Sequence, residues 1–152
     1  MPQSIDVYIG SDHAGYELKA KIEDHLRENG YKPIDLGVFG IENSADYPDI
    51  AREVGEKVSE NKSSFGLLIC GTGVGMCMAA NKVKGIRAAN TESELSTQMS
   101  REHNDANILC LGGRIVDLER ATRLVDVFLK TPFSGDERHT RRIAKIAGIE
   151  AK

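Results

Sequence analysis

The sequence predicts an α/β protein, a three-layer α/β/α (Rossmann-like) fold around a five-stranded parallel sheet. Three observations predict it. Runs of β-forming residues alternate with amphipathic stretches of helical period along the whole chain. The run Phe65-Gly66-Leu67-Leu68-Ile69-Cys70 is apolar without alternation, as a strand covered on both faces must be. It passes directly into Gly71-Thr72-Gly73-Val74-Gly75, with glycine at every second position, and then into an apolar stretch starting at Met76 that reads as a helix. Ligands of open α/β sheets bind at the carboxyl ends of the strands, so this junction is the expected centre of function.

Each element has its own signal. Ile5 to Gly10 is rich in β-formers and reads as the first strand, and Ser11 to Gly15 as a polar loop at its end. Leu18, Ile22 and Leu26 recur at i+4 spacing and predict a helix from about Tyr16 to Asn29, with Gly30 as its C-terminal cap. Lys32 to Leu36 is the second strand, followed by a loop from Gly37 to Ala45. Asp46-Tyr47-Pro48 starts the second helix, with the Asp46 carboxylate as capping group and Ile50, Val54 and Val58 as its stripe. Asn61 to Ser64 turns the chain into the central strand. The helix after the glycine loop is expected to end near Val83-Lys84-Gly85, and Ile86 to Ala89 to form the fourth strand. Glu92 to His103 predicts a helix weakened by four Ser and Thr residues. Ile108 to Leu111 is the fifth strand. Asp117 caps a helix whose face carries Ala121, Leu124, Val125 and Phe128. Thr131 to Gly135 breaks that helix, and a basic helical tail follows from Asp136.

Composition limits the function. A chain of 152 residues predicts one domain, residues 1–152, able to bury roughly 70% of its unfolded surface without a disulfide or metal staple. A net charge of -3 argues against a nucleic-acid binder. No apolar run approaches the length of a membrane span, and Met1-Pro2-Gln3-Ser4 carries no apolar signal region, so neither membrane nor export is expected. Cys70, Cys77 and Cys110 lack zinc-site spacing and read as reduced thiols of a cytoplasmic protein.

The glycine loop is neither of the familiar phosphate motifs. No Gly-Lys-Ser/Thr follows it, and Met76 stands where G-x-G-x-x-G needs its last glycine. One acid at Glu92 is too little to restore the dinucleotide reading, and three alternating glycines exceed what a tight turn requires. Cys70 ends the strand beside backbone donors and a helix N-terminus, surroundings that lower a thiol from its free value of about 8.5. Such a thiol serves as base or nucleophile. Cys77 and Cys110 read as buried, unreactive thiols. Asp12 and His13 follow the first strand, so they should share a rim with Cys70 and Thr72. His103 precedes its strand and should lie at the opposite edge, unless the loop folds back or a second subunit supplies it. His25 has charged neighbours and is expected on a solvated face. Arg138, His139, Arg141 and Arg142 form a basic cluster in which Arg138 and Arg142 share a helix face and could clamp an anion.

Taken together, Gly10-Ser11-Asp12-His13-Ala14-Gly15, Asp46-Tyr47-Pro48, Cys70 to Gly75, Ala79-Ala80-Asn81-Lys82, Ser100 to Asn107 and Arg138 to Arg142 make a specific pattern. Over almost its whole length the chain resembles the type B ribose-5-phosphate isomerases, the group that includes the galactose-6-phosphate isomerase subunits. The resemblance implies interconversion of ribose 5-phosphate and ribulose 5-phosphate by a homodimer, or dimer of dimers, with shared sites and neither metal nor cofactor. It implies Cys70 as the base, since the position of the glutamate used by some members is Met76 here. It implies Thr72 beside the thiol and His103 in ring opening. Asp12, Tyr47 and Asn104 would hold sugar hydroxyls. The amides of Gly71, Gly73, Val74 and Gly75 would face the developing charge, and His13, Arg114, Arg138 and Arg142 the phosphate. The tail, about 131–152, would pack on a neighbouring subunit. A six-carbon sugar phosphate (allose 6-phosphate or galactose 6-phosphate) is the alternative substrate, and a non-catalytic sugar-phosphate binding module the remote one.

Overall fold

The computed structural model describes residues 4–40 and 45–151. Five strands alternate with helices as expected: β1 (Asp6–Ser11), β2 (Lys32–Asp35), β3 (Phe65–Cys70), β4 (Ala88–Asn90) and β5 (Ile108–Gly112). All pair in parallel, in the order β2-β1-β3-β5-β4. The helices are α1 (Tyr16–Glu28), α2 (Tyr47–Glu60), α3 (Val74–Ala80), α4 (Glu94–Glu102), α5 (Leu118–Lys130) and α6 (Glu137–Glu150). A 3-10 turn at His13–Gly15 joins β1 to α1. Among the described residues no helix is long and apolar enough to cross a membrane.

Two apolar layers hold the sheet. On one face Val7, Ile9, Leu67, Ile69, Leu109 and Leu111 pack against Ile22 and Leu26 of α1 and Leu124, Val125 and Phe128 of α5. On the other, Leu68, Cys70, Ile108 and Cys110 pack against Val54 and Val58 of α2 and Met76 and Ala80 of α3. Alternate residues of β3 thus serve opposite layers, which is why that strand is apolar throughout. α6 stands apart. His139 is its one buried residue, and Ile146 and Ile149 are 42% and 72% exposed.

Several local expectations hold in detail. Gly30 ends α1 at φ +84°, a conformation open to glycine at little cost. The Asp117 carboxylate accepts from the Arg120 N–H at 2.8 Å, capping α5. Others are corrected. Asp46 occupies the cap position of α2 but makes no side-chain capping bond. Its backbone carbonyl takes the Asp49 N–H instead. α3 begins at Val74 and ends at Ala80 rather than near Gly85, because the Asn81 amide ties the helix end to β4. Asn81 Nδ2 donates to the Cys77 and Ala88 carbonyls, and its Oδ1 accepts from the Ala88 N–H. The fourth strand accordingly starts at Ala88 rather than Ile86. His25 is half-buried rather than freely solvated, since its Nε2 lies 2.8 Å from Asp126 Oδ1, where α1 and α5 pack side by side. Of the loop expected over Gly37 to Ala45, residues 41–44 lie outside the described residues.

Candidate active site

The carboxyl ends of three neighbouring strands converge on Cys70. Register places Gly10 opposite Leu68 and Ser11 opposite Ile69 on one side, and Gly112 opposite Cys70 on the other. Asp12, one residue beyond β1, donates its N–H to the Ile69 carbonyl at 3.2 Å. Its carboxylate accepts from the Gly15 N–H at 3.1 Å and so holds the turn that carries His13. Past β5, the Gly113 N–H donates to the Cys70 carbonyl at 2.7 Å and the Arg114 N–H to the Gly71 carbonyl at 3.0 Å. These bonds lock the glycine loop to the Arg114 turn.

The loop is shaped by what its glycines lack. A Cβ on Gly71 would lie 3.3 Å from Arg114 Nη1, and one on Gly75 only 2.6 Å from the Tyr47 ring. The bare backbone therefore lets an arginine approach at Gly71 and a tyrosine at Gly75. Gly73 adopts φ +85° and turns its N–H onto Cys70 Sγ at 3.1 Å. The thiol is 6% exposed, beneath the exposed Thr72 hydroxyl, which accepts the Val74 N–H at 3.3 Å. A Cβ on Gly73 would stand 2.8 Å from Asn90 Oδ1 and 3.0 Å from the Leu111 backbone. Gly73→Ala should therefore cost about 2–3 kcal/mol through strain and contact. A thermal melt checks this, and a fall in midpoint of roughly 5–10 °C is expected.

Of the other two thiols, Cys110 is buried as expected, whereas Cys77 is only half-buried, because it lies on the partly open face of α3. Cys77 Sγ contacts the Ala88 carbonyl at 3.4 Å, and Cys110 is fully buried. A hydrogen bond from Cys110 pulls Cys77 down to about 7 against its burial, while the same bond pushes Cys110 up. Among the described residues no three His, Cys, Asp or Glu side chains are arranged to hold a metal.

The remaining predicted residues lie elsewhere. α4 runs back from the carboxyl edge and ends at Glu102, so His103 and Asn104 sit at the amino edge of the sheet, where β5 begins. His103 stacks on His139 of α6, with ring centroids 4.3 Å apart. Arg138 Nε lies 3.4 Å from His139 Nε2, and Arg142 is close enough to act electrostatically on the same ring. Burial first, then the positive neighbours His103, Arg138 and Arg142, hold His139 below the usual histidine value. The predicted residues therefore fall into two separate groups within one chain. Asp12, His13, Tyr47, Cys70, the glycine loop and Arg114 are at one edge, and His103, Asn104, Arg138 and Arg142 are at the other. The sequence offered no signal for the His103–His139 stack, which joins residues of two helices.

The sequence profile of the Ribose/Galactose Isomerase family matches residues 7–146. The probable ribose-5-phosphate isomerase B of Mycoplasma genitalium is 47% identical over 97% of both chains. The solved structure of ribose-5-phosphate isomerase B from that organism with bound ribulose 5-phosphate superposes with a TM-score of 0.94 at 45% identity, covering 99% of each chain. That of Clostridium thermocellum superposes with a TM-score of 0.93 at 50% identity, covering 97% of this chain and 98% of the other.

Proposed function

The chain belongs to the ribose/galactose isomerase family, and from that membership we propose that it interconverts D-ribose 5-phosphate and D-ribulose 5-phosphate. The observation that carries this reading is the Cys70 thiol under the Gly73 amide, at the rim shared by Asp12, His13 and Arg114. It is supported by the relative from Mycoplasma genitalium, whose structure holds ribulose 5-phosphate.

In this reading the Cys70 thiolate removes the proton from C2 of the open-chain aldose and returns it to C1. The electron pair left on carbon passes to the carbonyl oxygen, giving an enediolate, and the hydroxyl proton moves from O2 to O1 as C1 takes up the carbon-bound proton and C2 becomes the carbonyl. The amides of Gly71 and Gly75 face that oxygen, where one preorganised donor is worth roughly 3–4 kcal/mol, while those of Gly73 and Val74 are taken up by Cys70 Sγ and the Thr72 hydroxyl. Thr72 orders the loop through Val74 and supplies a hydroxyl beside the reacting oxygens. Asp12 and Tyr47 hold sugar hydroxyls. His13 and Arg114 meet the phosphate, whose binding energy fixes the reacting carbons against the thiol.

A second copy of the chain completes the site. His103 and Asn104 from that copy reach the sugar, the histidine to open the furanose, and Arg138 and Arg142 reach the phosphate. The exposed Ile146 and Ile149 of α6 pack on the neighbour. A C2 dimer places each half-site of one chain against the complementary half of the other. Purified protein should convert ribose 5-phosphate to ribulose 5-phosphate, with lower kcat/KM on allose 6-phosphate and galactose 6-phosphate. Turnover of a six-carbon substrate alone would overturn the assignment.

A further inference from the structure

Lys19, Ile22, Glu23 and Leu26 follow at i, i+3, i+4 and i+7 on α1, so a lysine and a glutamate occupy core-facing positions of an apolar stripe. Lys19 is 1% exposed. Its Nζ donates to Asp35 Oδ1 at 2.7 Å and to the Val38 carbonyl at 2.5 Å. It also lies 5.4 Å from the centre of the Tyr16 ring and 5.5 Å from that of Phe39. A cation this deep is tolerated only with such partners. The same segment is fastened to the last residue of β1. The Ser11 N–H donates to the Gly37 carbonyl, and the Val38 N–H to the Ser11 carbonyl, each at 2.8 Å. The Gly37 N–H donates to Asp35 Oδ1 at 2.8 Å. Asp12 and His13 follow Ser11 directly, and the helix that carries Lys19 follows them.

We propose that Lys19 is a positioning residue that sets, through Asp35 and Val38, where Asp12 and His13 meet the sugar phosphate, and that Glu23 loosens this latch when it loses its proton. The proposal rests on the isomerase reading above for its kinetic consequences.

Glu23 is 8% exposed, and its Oε1 has no hydrogen-bond partner. Burial first, then the hydrogen bond and charge of Asp35, push it up to about 7, against the attraction of Lys19 and Arg27. Burial alone would raise Asp35 as well, but hydrogen bonds from Glu23, Lys19 and the Gly37 N–H hold it below the usual carboxylate value. Lys19 and Arg27 from α1 and Asp35 from β2 are the charged groups that face Glu23. Below about 7 one proton serves the two carboxyls, and Lys19 balances a single negative charge. Above it two carboxylates compete for one ammonium, and the hold on Val38 weakens. The sign for stability agrees. A folded-state value raised from 4.5 to about 7 means stability falls as pH rises through that window.

Steady-state kinetics on ribose 5-phosphate from about pH 6 to 8.5 should compare the wild type with Glu23→Gln, which keeps the side chain's size and polarity but cannot ionise. The ratio of wild-type KM to variant KM should rise at least about threefold across that range, while the ratio of kcat values stays level. Taking ratios cancels the titration of the substrate phosphate and of every group common to the two proteins. A constant KM ratio overturns the proposal. Lys19→Met should raise KM about tenfold with kcat little changed, and Lys19→Arg should recover part of the loss. A folded Lys19→Met with unaltered KM also overturns it; if that variant does not fold, the Glu23→Gln comparison decides. Hydrogen-exchange protection of the Ser11 and Val38 amides tests the latch without catalysis. It should fall above pH 7 in the wild type and not in Glu23→Gln. Wild-type protein without isomerase activity but with this exchange pattern removes the isomerase reading and keeps the latch.

Discussion

Cys70→Ala is expected to lower turnover of ribose 5-phosphate by about 10³-fold or more, the larger end of what a positioned general base contributes. The substitution removes one sulfur from the end of β3 and leaves the sheet register and the glycine loop intact. Two of the bonds that hold that loop, Gly113 N–H to the Cys70 carbonyl and Arg114 N–H to the Gly71 carbonyl, are made by backbone. Circular dichroism should therefore be unchanged, and ribulose 5-phosphate should still bind, since its hydroxyls and phosphate meet other residues. Cys77 does not substitute for Cys70, because its sulfur is engaged by the Ala88 carbonyl and Cys110. Near-wild-type turnover by a folded Cys70→Ala protein would remove Cys70 as the base.

The second large effect is a recovery. His103→Ala alone should be nearly inactive on the ring-closed sugar, as Cys70→Ala is. Mixed and allowed to exchange subunits, the two inactive proteins should regain about one quarter of wild-type activity, as a C2 dimer with two shared sites requires. Half of the dimers are then hybrids, and each hybrid has one site with both residues intact and one with neither. The expectation follows from the two edges of the sheet. Cys70 ends β3 at the carboxyl edge, whereas His103 caps α4 at the amino edge and is stacked on His139. If exchange is demonstrated by mass and no activity returns, both residues serve the same chain's site.

The identity of nearly every element was legible in the chain because the signals are local. Leu26 and Ile22 mark α1 by spacing, Asp117 marks the start of α5 by its cap, and Gly30 marks the end of α1 by its positive φ. The misjudged positions are those where a distant residue intervenes. Asn81 ends α3 by reaching β4, and His25 is partly covered through its bond to Asp126, which is 101 residues away in sequence. Lys19 had a readable signal, a charge on an apolar stripe, but its partners Asp35 and Val38 come from another strand and the loop beyond it.

By itself the sequence determined that strands and helices alternate and that a thiol ends the central strand against a run of glycines. Hydrophobic period, turn residues and caps act over a few positions, so they can be read without the fold. Only the tertiary structure decided the strand order β2-β1-β3-β5-β4, which seats Asp12, Cys70 and Arg114 on adjacent strand ends. It also decided that α6 brings His139, Arg138 and Arg142 beside His103 at the opposite edge. Strand pairing and helix packing join segments far apart in the chain, and no local pattern encodes which segments meet.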